Sequence, residues 1–277
     1  MSVEKKINYN IHMVSDSTGE TLTTIAKAVL VQYKNLKFEQ HMHSLVRNKK
    51  QIEQVYEDIK KNPGIVLCTL YDFELKKALQ TLCEDLNIPL IDPLDSIHQS
   101  LTTLYGIKGS PIIGGQHQLN TEYFERIDAM NYTLAHDDGV ISNDLNSADV
   151  VLVGVSRTSK TPTSIYLANR GIKTANIPFV NGIPLPKELA MIKDPLVVGL
   201  VATPERIIQI RKNRLMALNA KDDSNYVDKR MVSEEIVQAK KYFENNKWPV
   251  IDVTRKSIEE TAAEIMLLYR AKKSHDK

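Results

Sequence analysis

Short apolar segments rich in β-branched residues alternate with longer segments of helical periodicity along most of this chain, and few folds accommodate that alternation. Parallel strands need a crossover between them, and a helix is the usual crossover, so the pattern builds parallel sheets flanked by helices. In the first half the expected strands are Ile11–Val14, Glu39–Ser44, Ile65–Thr69 and Leu90–Ile91, with expected helices over Glu20–Tyr33, Lys49–Lys60 and Phe73–Leu86. After Leu94 the periodicity degrades, and GIKGSPIIGGQH, Gly106–His117, reads as an irregular connection and a domain boundary. From Tyr123 a short helix is expected, followed by the polar turn HDDG, His136–Gly139. A second series then has strands Val150–Val153, Lys173–Ile177, Leu196–Val201 and Val250–Asp252. Its helices span Thr161–Asn169, Pro204–Leu218, Ser233–Asn245 and Ser257–Lys272, with Thr203 and Ser257 as N-cap signals. The class is α/β, with an N-terminal parallel-sheet domain over 1–115, a connecting segment over 116–147 and a second α/β domain over 148–277.

Composition narrows the function classes. The 277 residues are 42% hydrophobic and 25% charged, ordinary values for soluble domains. Thirty-six Lys and Arg against 34 Asp and Glu leave a net charge of +2, without the excess that phosphate-backbone binding requires, so nucleic acid is not expected as a partner. Cys68 and Cys83 lack the spacing of a zinc or redox pair, which points to a reducing compartment. The first 20 residues lack the apolar core of a secretory signal, and no apolar run approaches the roughly 20 residues that cross a bilayer. The expectation is a cytoplasmic protein without a membrane partner.

The most informative stretch is VVLVGVSRTSKTPTSIYLANRGI, Val150–Ile172, which passes from an apolar strand through small and polar residues into a helix. In a P-loop, backbone N–H groups and a helix N-terminus cradle phosphate oxygens, a Lys neutralises them, and the next Ser or Thr reaches Mg²⁺. Gly154, Lys160 and Thr161 stand at those positions, with Val155, Ser156, Arg157, Thr158 and Ser159 between them. Ser159 replaces the second glycine of the general pattern, so the loop is expected to use a conformation that serine tolerates. An ordinary strand-to-helix turn would use similar residues, but Arg157 in the same loop favours an anion. A serine-hydrolase elbow at Gly154-Val155-Ser156 fails because Thr158 stands where a glycine is needed.

Three further clusters carry two readings each. SDSTGET, Ser15–Thr21, could hold a phosphate or a phosphorylated side chain through Ser15, Ser17, Thr18, Gly19 and the helix N-terminus, and equally fits a helix capped by Ser17 or Thr18. In HDDG, Asp137 and Asp138 could orient an acceptor hydroxyl, or form a plain polar turn. Arg206, Arg211 and Arg214, in PERIIQIRKNRL, could close over donor phosphates or line a solvated helix face; the lack of strong acidic partners on that helix favours the first. His41 and His43 alternate on one strand face without a third ligand at metal-site spacing, and read as ordinary, partly buried histidines.

These segments together resemble the pyruvate, phosphate dikinase regulatory protein family, which includes regulators of phosphoenolpyruvate synthase. The resemblance rests on SDSTGET, on YFERIDAMNYTLAHDDG from Tyr123, on LVGVSRTSKTPTSIYLANRGIKTANIPFV from Leu152, on PERIIQIRKNRL from Pro204 and on WPVIDVTRKSIEETAAEI from Trp248. It implies a P-loop kinase-like second domain whose loop, Gly154–Thr161, includes Ser159 as the family's own variant. It implies a bifunctional enzyme that phosphorylates a Thr or Ser of the dikinase with ADP as donor and removes that phosphate with inorganic phosphate as acceptor, forming pyrophosphate. Lys160 would then neutralise phosphates, Thr161 would place Mg²⁺, and Asp137 or Asp138 would be the general base. The target is pyruvate, phosphate dikinase or phosphoenolpyruvate synthase, with a homodimer left open as the assembly. An ATP-dependent small-molecule kinase and a non-catalytic nucleotide sensor are the rival classes.

Overall fold

The computed structural model describes residues 9–107, 109–110, 112–113, 121–138, 144–217 and 224–275. Gly139 of the HDDG turn, Leu218 at the expected end of one helix, and Lys108, Pro111 and 114–117 of the expected connection lie outside the described residues. The chain divides into two compact units, Met1–Gln118 and Leu119–Lys277.

The first unit runs β1 (Tyr9–Ser15), α1 (Glu20–Leu30), β2 (Phe38–His43), α2 (Lys49–Lys61), β3 (Gly64–Thr69), α3 (Phe73–Asp85), β4 (Leu90–Ile91) and α4 (Asp95–Tyr105). All pairings are parallel, in the order β2-β1-β3-β4. Alternation along β1 and β3 sends Ile11, Met13 and Leu67 to one face, against Leu22 and Ala26 of α1. Val14, Val66 and Cys68 face the other way, against Ile52, Val55 and Ile59 of α2 and Leu75, Leu79 and Cys83 of α3. Both cysteines are free and buried, and burial pushes the Cys68 thiol up to about 12. Helix α4 is an addition to the sequence reading. It buries none of its residues, and its apolar stripe of Ile97, Leu101, Leu104 and Tyr105 is exposed.

The second unit runs α5 (Thr121–Ala135), β5 (Val150–Gly154), α6 (Lys160–Ala168), β6 (Thr174–Pro178), β7 (Leu196–Val201), α7 (Pro204–Ala217), α8 (Ser224–Val227), α9 (Lys229–Asn245), β8 (Val250–Asp252) and α10 (Ile258–His275). Its parallel order is β6-β5-β7-β8, the same path through the sheet as in the first unit. Every residue of β5 and β7 is buried, as strands covered on both faces require. Helix α5 is held on β6: Thr133 Oγ1 accepts from the Thr174 N–H at 3.0 Å, and the His136 carbonyl accepts from the Asn176 N–H at 3.0 Å. Helix α9 starts at Lys229, four residues before the expected Ser233, because Asp228 caps it by accepting from the Met231 N–H at 2.9 Å. Helix α10 opens with a reciprocal cap, in which Ser257 Oγ accepts from the Glu260 N–H and Glu260 accepts from the Ser257 N–H. No helix among the described residues is long and apolar enough to cross a membrane.

In each sheet the chain leaves the first strand toward one side, crosses back and continues on the other. The loops after β1 and β5 therefore open at the carboxyl edge where the winding reverses, where such sheets offer a crevice for ligands.

Candidate functional site

The loop between β5 and α6 is tight because its start admits no side chain. A Cβ on Gly154 would stand 2.6 Å from the Leu200 carbonyl oxygen and 2.8 Å from Thr158 Oγ1. We expect Gly154→Ala to destabilise the fold by about 1–3 kcal/mol, the usual cost of overpacking. Thermal unfolding checks this, and an unchanged midpoint would contradict it. Beyond Gly154 the chain turns through left-handed conformations at Arg157, φ 76°, and Ser159, φ 61°. Ser159 thus takes the glycine-like conformation itself, which corrects the expectation of a serine-friendly loop. The cost for a residue with a Cβ is roughly 1 kcal/mol or more, and strain of this kind concentrates at functional loops.

The loop is held by its own donors. The Val155 carbonyl accepts from Thr158 Oγ1 at 2.9 Å and from Lys160 Nζ at 3.1 Å. Lys160 is only 6% exposed and, among the described residues, forms no ion pair. Burial pulls its pKa down to about 8, against the raising influence of the Asp138, Glu235 and Asp137 charges. A buried, unpaired ammonium at a helix N-terminus is suited to receive an anion.

Thr161, Asp137 and Asn176 meet beside it. Thr161 Oγ1 donates to Asp137 Oδ1 at 2.9 Å, and Asn176 Nδ2 donates to Asp137 Oδ1 at 2.5 Å and to Thr161 Oγ1 at 2.9 Å. The second Asp137 oxygen stays outside these bonds. Asp138 is exposed, at φ 50°, and provides the largest favourable charge on Lys160. Asn176 was not among the sequence candidates. Its signal was a polar residue in the middle of the apolar strand TANIP, which must find partners once buried. Among the described residues its buried Oδ1 has no hydrogen-bond partner. Together with the Thr161 lone pair left over, it offers hard oxygen donors, which fit Mg²⁺.

The arginines of α7 separate. Arg211 is buried, its Nη2 paired with Glu235 of α9 at 2.8 Å and its Nη1 donating to the Tyr226 carbonyl at 3.0 Å. This corrects the view that the helix has no strong acidic partner: the carboxylate comes from α9. Arg206 and Arg214 are exposed. Tyr226 was not anticipated either; its hydroxyl lies 3.3 Å from both Ser156 Oγ and Arg157 Nε, so α8 lies against the loop.

In the first unit the loop after β1 is also organised around its own atoms. Ser15 Oγ accepts from the Ser17 N–H and from Thr69 Oγ1, and the Asp16 carboxylate accepts from the Tyr71 N–H at 2.8 Å. The N-cap of α1 is Gly19, at φ 79°, with no side-chain cap, so capping by Ser17 or Thr18 is not what these residues do. A cavity of about 210 Å³ opens here, lined by residues 15–21 with Thr69 and Tyr71 among its walls.

Comparison with known proteins finds relatives over nearly the whole chain. Residues 11–266 match the model of a family described as kinase/pyrophosphorylase. A protein of Afipia carboxidovorans is 50% identical over 275 residues, covering 97% of each chain. One of Bradyrhizobium sp. strain ORS 278 is 52% identical over 262 residues and one of Rhodopseudomonas palustris 51% over 261, each covering 94% of both chains. All three are provisionally named pyruvate, phosphate dikinase regulatory proteins.

Proposed function

We propose, on the premise that this chain belongs to the kinase/pyrophosphorylase family, that it regulates pyruvate, phosphate dikinase by reversible phosphorylation, with ADP as donor in one direction and inorganic phosphate as acceptor in the other. The observation that carries the reading is Lys160, a buried ammonium that forms no ion pair among the described residues, on a strained strand-to-helix loop beside the Asp137–Thr161–Asn176 triangle.

In the kinase direction the hydroxyl oxygen of a target Thr or Ser attacks the β-phosphorus of ADP, the bond to AMP breaks, and the hydroxyl proton passes to the free oxygen of Asp137. Asn176 and Thr161 hold that carboxylate in place through its other oxygen. Lys160 and the N-terminal N–H groups of α6 neutralise charge spread over the transferred group. Thr161 donates its proton to Asp137 and accepts from Asn176, which leaves one lone pair to hold Mg²⁺. Bound Mg²⁺ supplies charge neutralisation of phosphate oxygens. In the reverse direction a phosphate oxygen attacks the phosphorylated side chain, pyrophosphate forms, and the target oxygen takes a proton back from Asp137. The Ser15–Gly19 loop and the α7 arginines Arg206, Arg211 and Arg214 are assigned to the target or phosphate, with Arg211 acting from its ion pair to fix the loop through Tyr226. The assignment of a cytoplasmic protein follows the dikinase.

The test is donor choice with purified target. ADP should inactivate pyruvate, phosphate dikinase and release AMP, and phosphate should restore activity with release of pyrophosphate. Equal use of ATP without pyrophosphate formation would identify a conventional kinase instead. Phosphoenolpyruvate synthase in a parallel arm should be left unchanged. A nucleotide sensor would still regulate as Lys160→Ala, whereas the proposed enzyme would not.

A further inference from the structure

The first unit contains a cluster that the phosphotransfer chemistry does not use. Strands β1 and β2 pair in parallel with His12 opposite His41 and Val14 opposite His43, so all three imidazoles lie on the sheet face covered by α2. His12 stacks on both of its neighbours, with ring centroids 4.5 Å from His41 and 5.5 Å from His43. The last turn of α2 adds Asp58, and its cap residue Asn62 adds a carbonyl. Sequence spacing hid this grouping, because the strands and α2 bring together residues 12, 43 and 58.

Hydrogen bonding fixes where the protons sit. His12, fully buried, places Nε2 at 2.8 Å from the Asn62 carbonyl oxygen, which can only accept. Nε2 therefore carries the proton, and Nδ1 presents a lone pair to His43 Nε2 at 3.2 Å. His41 is fixed similarly. Asn10 Nδ2 donates to the Pro63 carbonyl, so Asn10 Oδ1 accepts from His41 Nε2 at 3.1 Å and His41 Nδ1 presents a lone pair 4.0 Å from Asp58 Oδ2. Asp58 Oδ2 also lies 3.6 Å from His43 Nε2. Two acceptors, His12 Nδ1 and Asp58 Oδ2, thus face His43 Nε2, which can offer a proton to only one of them, while His41 Nδ1 turns a further lone pair toward Asp58. A cation would satisfy several at once.

We propose that His12 Nδ1, His43 Nε2 and Asp58 Oδ2 form a binding site for a zinc-class divalent cation, with the fourth position open to water. The three atoms lie within 4.8 Å of one another. Ligands at about 2.0–2.1 Å from a tetrahedral zinc stand roughly 3.3–3.4 Å apart, close to the 3.2 and 3.6 Å of the two contacts to His43. Closing the third edge needs a shift of the Asp58 carboxylate, whose Oδ1 accepts from Asn62 Nδ2 at 3.2 Å and whose 39% exposure gives the ion its way in. The Asn62 carbonyl behind His12 is the outer partner that such a ligand ordinarily has. Two imidazoles and a carboxylate favour zinc over Mg²⁺, which prefers all-oxygen sites. The bound ion would tie the edge strand β2 and α2 to β1.

The test uses the full chain without a histidine tag, stripped with chelator and titrated with Zn²⁺ in excess Mg²⁺. One equivalent should bind, and Co²⁺ in its place should give the visible bands of a four-coordinate nitrogen and oxygen site. Asp58→Asn and His43→Ala should each weaken binding at least tenfold, while Asp137→Asn in the second unit leaves it unchanged. Asp58 is half-exposed, so its variant reads the site even where His43→Ala fails to fold. No zinc uptake by the wild type, or uptake that survives both ligand variants, overturns the proposal.

Discussion

Replacing Lys160 by Met should stabilise the protein in the absence of nucleotide while removing its nucleotide affinity. Burial brings the ammonium's pKa from 10.5 down to about 8, and at about 1.4 kcal/mol per pKa unit this is a penalty of roughly 3–4 kcal/mol. Met keeps the aliphatic stem and removes the charge. The Val155 carbonyl loses one donor but keeps Thr158 Oγ1. A net gain of about 2 kcal/mol, or roughly 4–8 °C in the unfolding midpoint, is expected at neutral pH. The sign with pH follows from linkage. Between about 8 and 10.5 the unfolded chain holds a proton on Lys160 that the folded chain has released, so the wild type gains stability as pH rises through that window and the advantage of Lys160→Met shrinks. ADP binding runs the other way. An anion beside Nζ favours the proton, so binding above pH 8 takes up protons, visible as a buffer-dependent enthalpy, and weakens as pH climbs. Loss of the buried cation should cost 2–5 kcal/mol of affinity, about 30-fold or more. A less stable Lys160→Met, or one that binds ADP normally, would contradict the role given to this residue.

That prediction depends on burial, which the sequence did not disclose. Gly154, Lys160 and Thr161 were legible because strand, loop and helix follow one another locally, and the βα alternation was legible because its periods are local too. The contents of the site were not. Asn176 reaches Asp137 across 39 residues and Tyr226 reaches Ser156 across 70, so no spacing rule joins them. Arg211 looked like a free basic residue because its carboxylate, Glu235, sits on another helix. The same blindness affected His43, whose neighbours arrive from β1 and α2. Helix α4 escaped although Ile97, Leu101, Leu104 and Tyr105 keep helical spacing, because no strand follows it to continue the βα alternation. At the loop after β1 the hydroxyls suggested a cap, whereas the backbone placed Gly19 there. A Cβ at that position would come within 2.5 Å of Met42 Sδ, a contact from β2 that no local motif records.

The two adjacent aspartates should part company on substitution. In Asp137→Asn the amide oxygen can still accept from Thr161 and Asn176, so the triangle survives and only the free carboxylate oxygen that takes the proton is lost. Removing a positioned general base typically costs 10²–10⁴ in rate. The expectation is therefore a fall of about that size in kcat for both the ADP-dependent and the phosphate-dependent reactions, with ADP affinity nearly unchanged. Asp138→Asn should leave kcat close to wild type. Asparagine tolerates the left-handed conformation at φ 50° at least as well as aspartate. What changes is Lys160, which loses the largest charge holding its pKa up, so its pKa falls further below about 8 and the pH above which ADP affinity declines moves down with it. Steady-state kinetics in both directions, with ADP binding measured from pH 6 to 9, separates the outcomes. A kcat loss in Asp138→Asn with Asp137→Asn unaffected would move the base to Asp138. Near-wild-type rates in both would place proton transfer outside this turn.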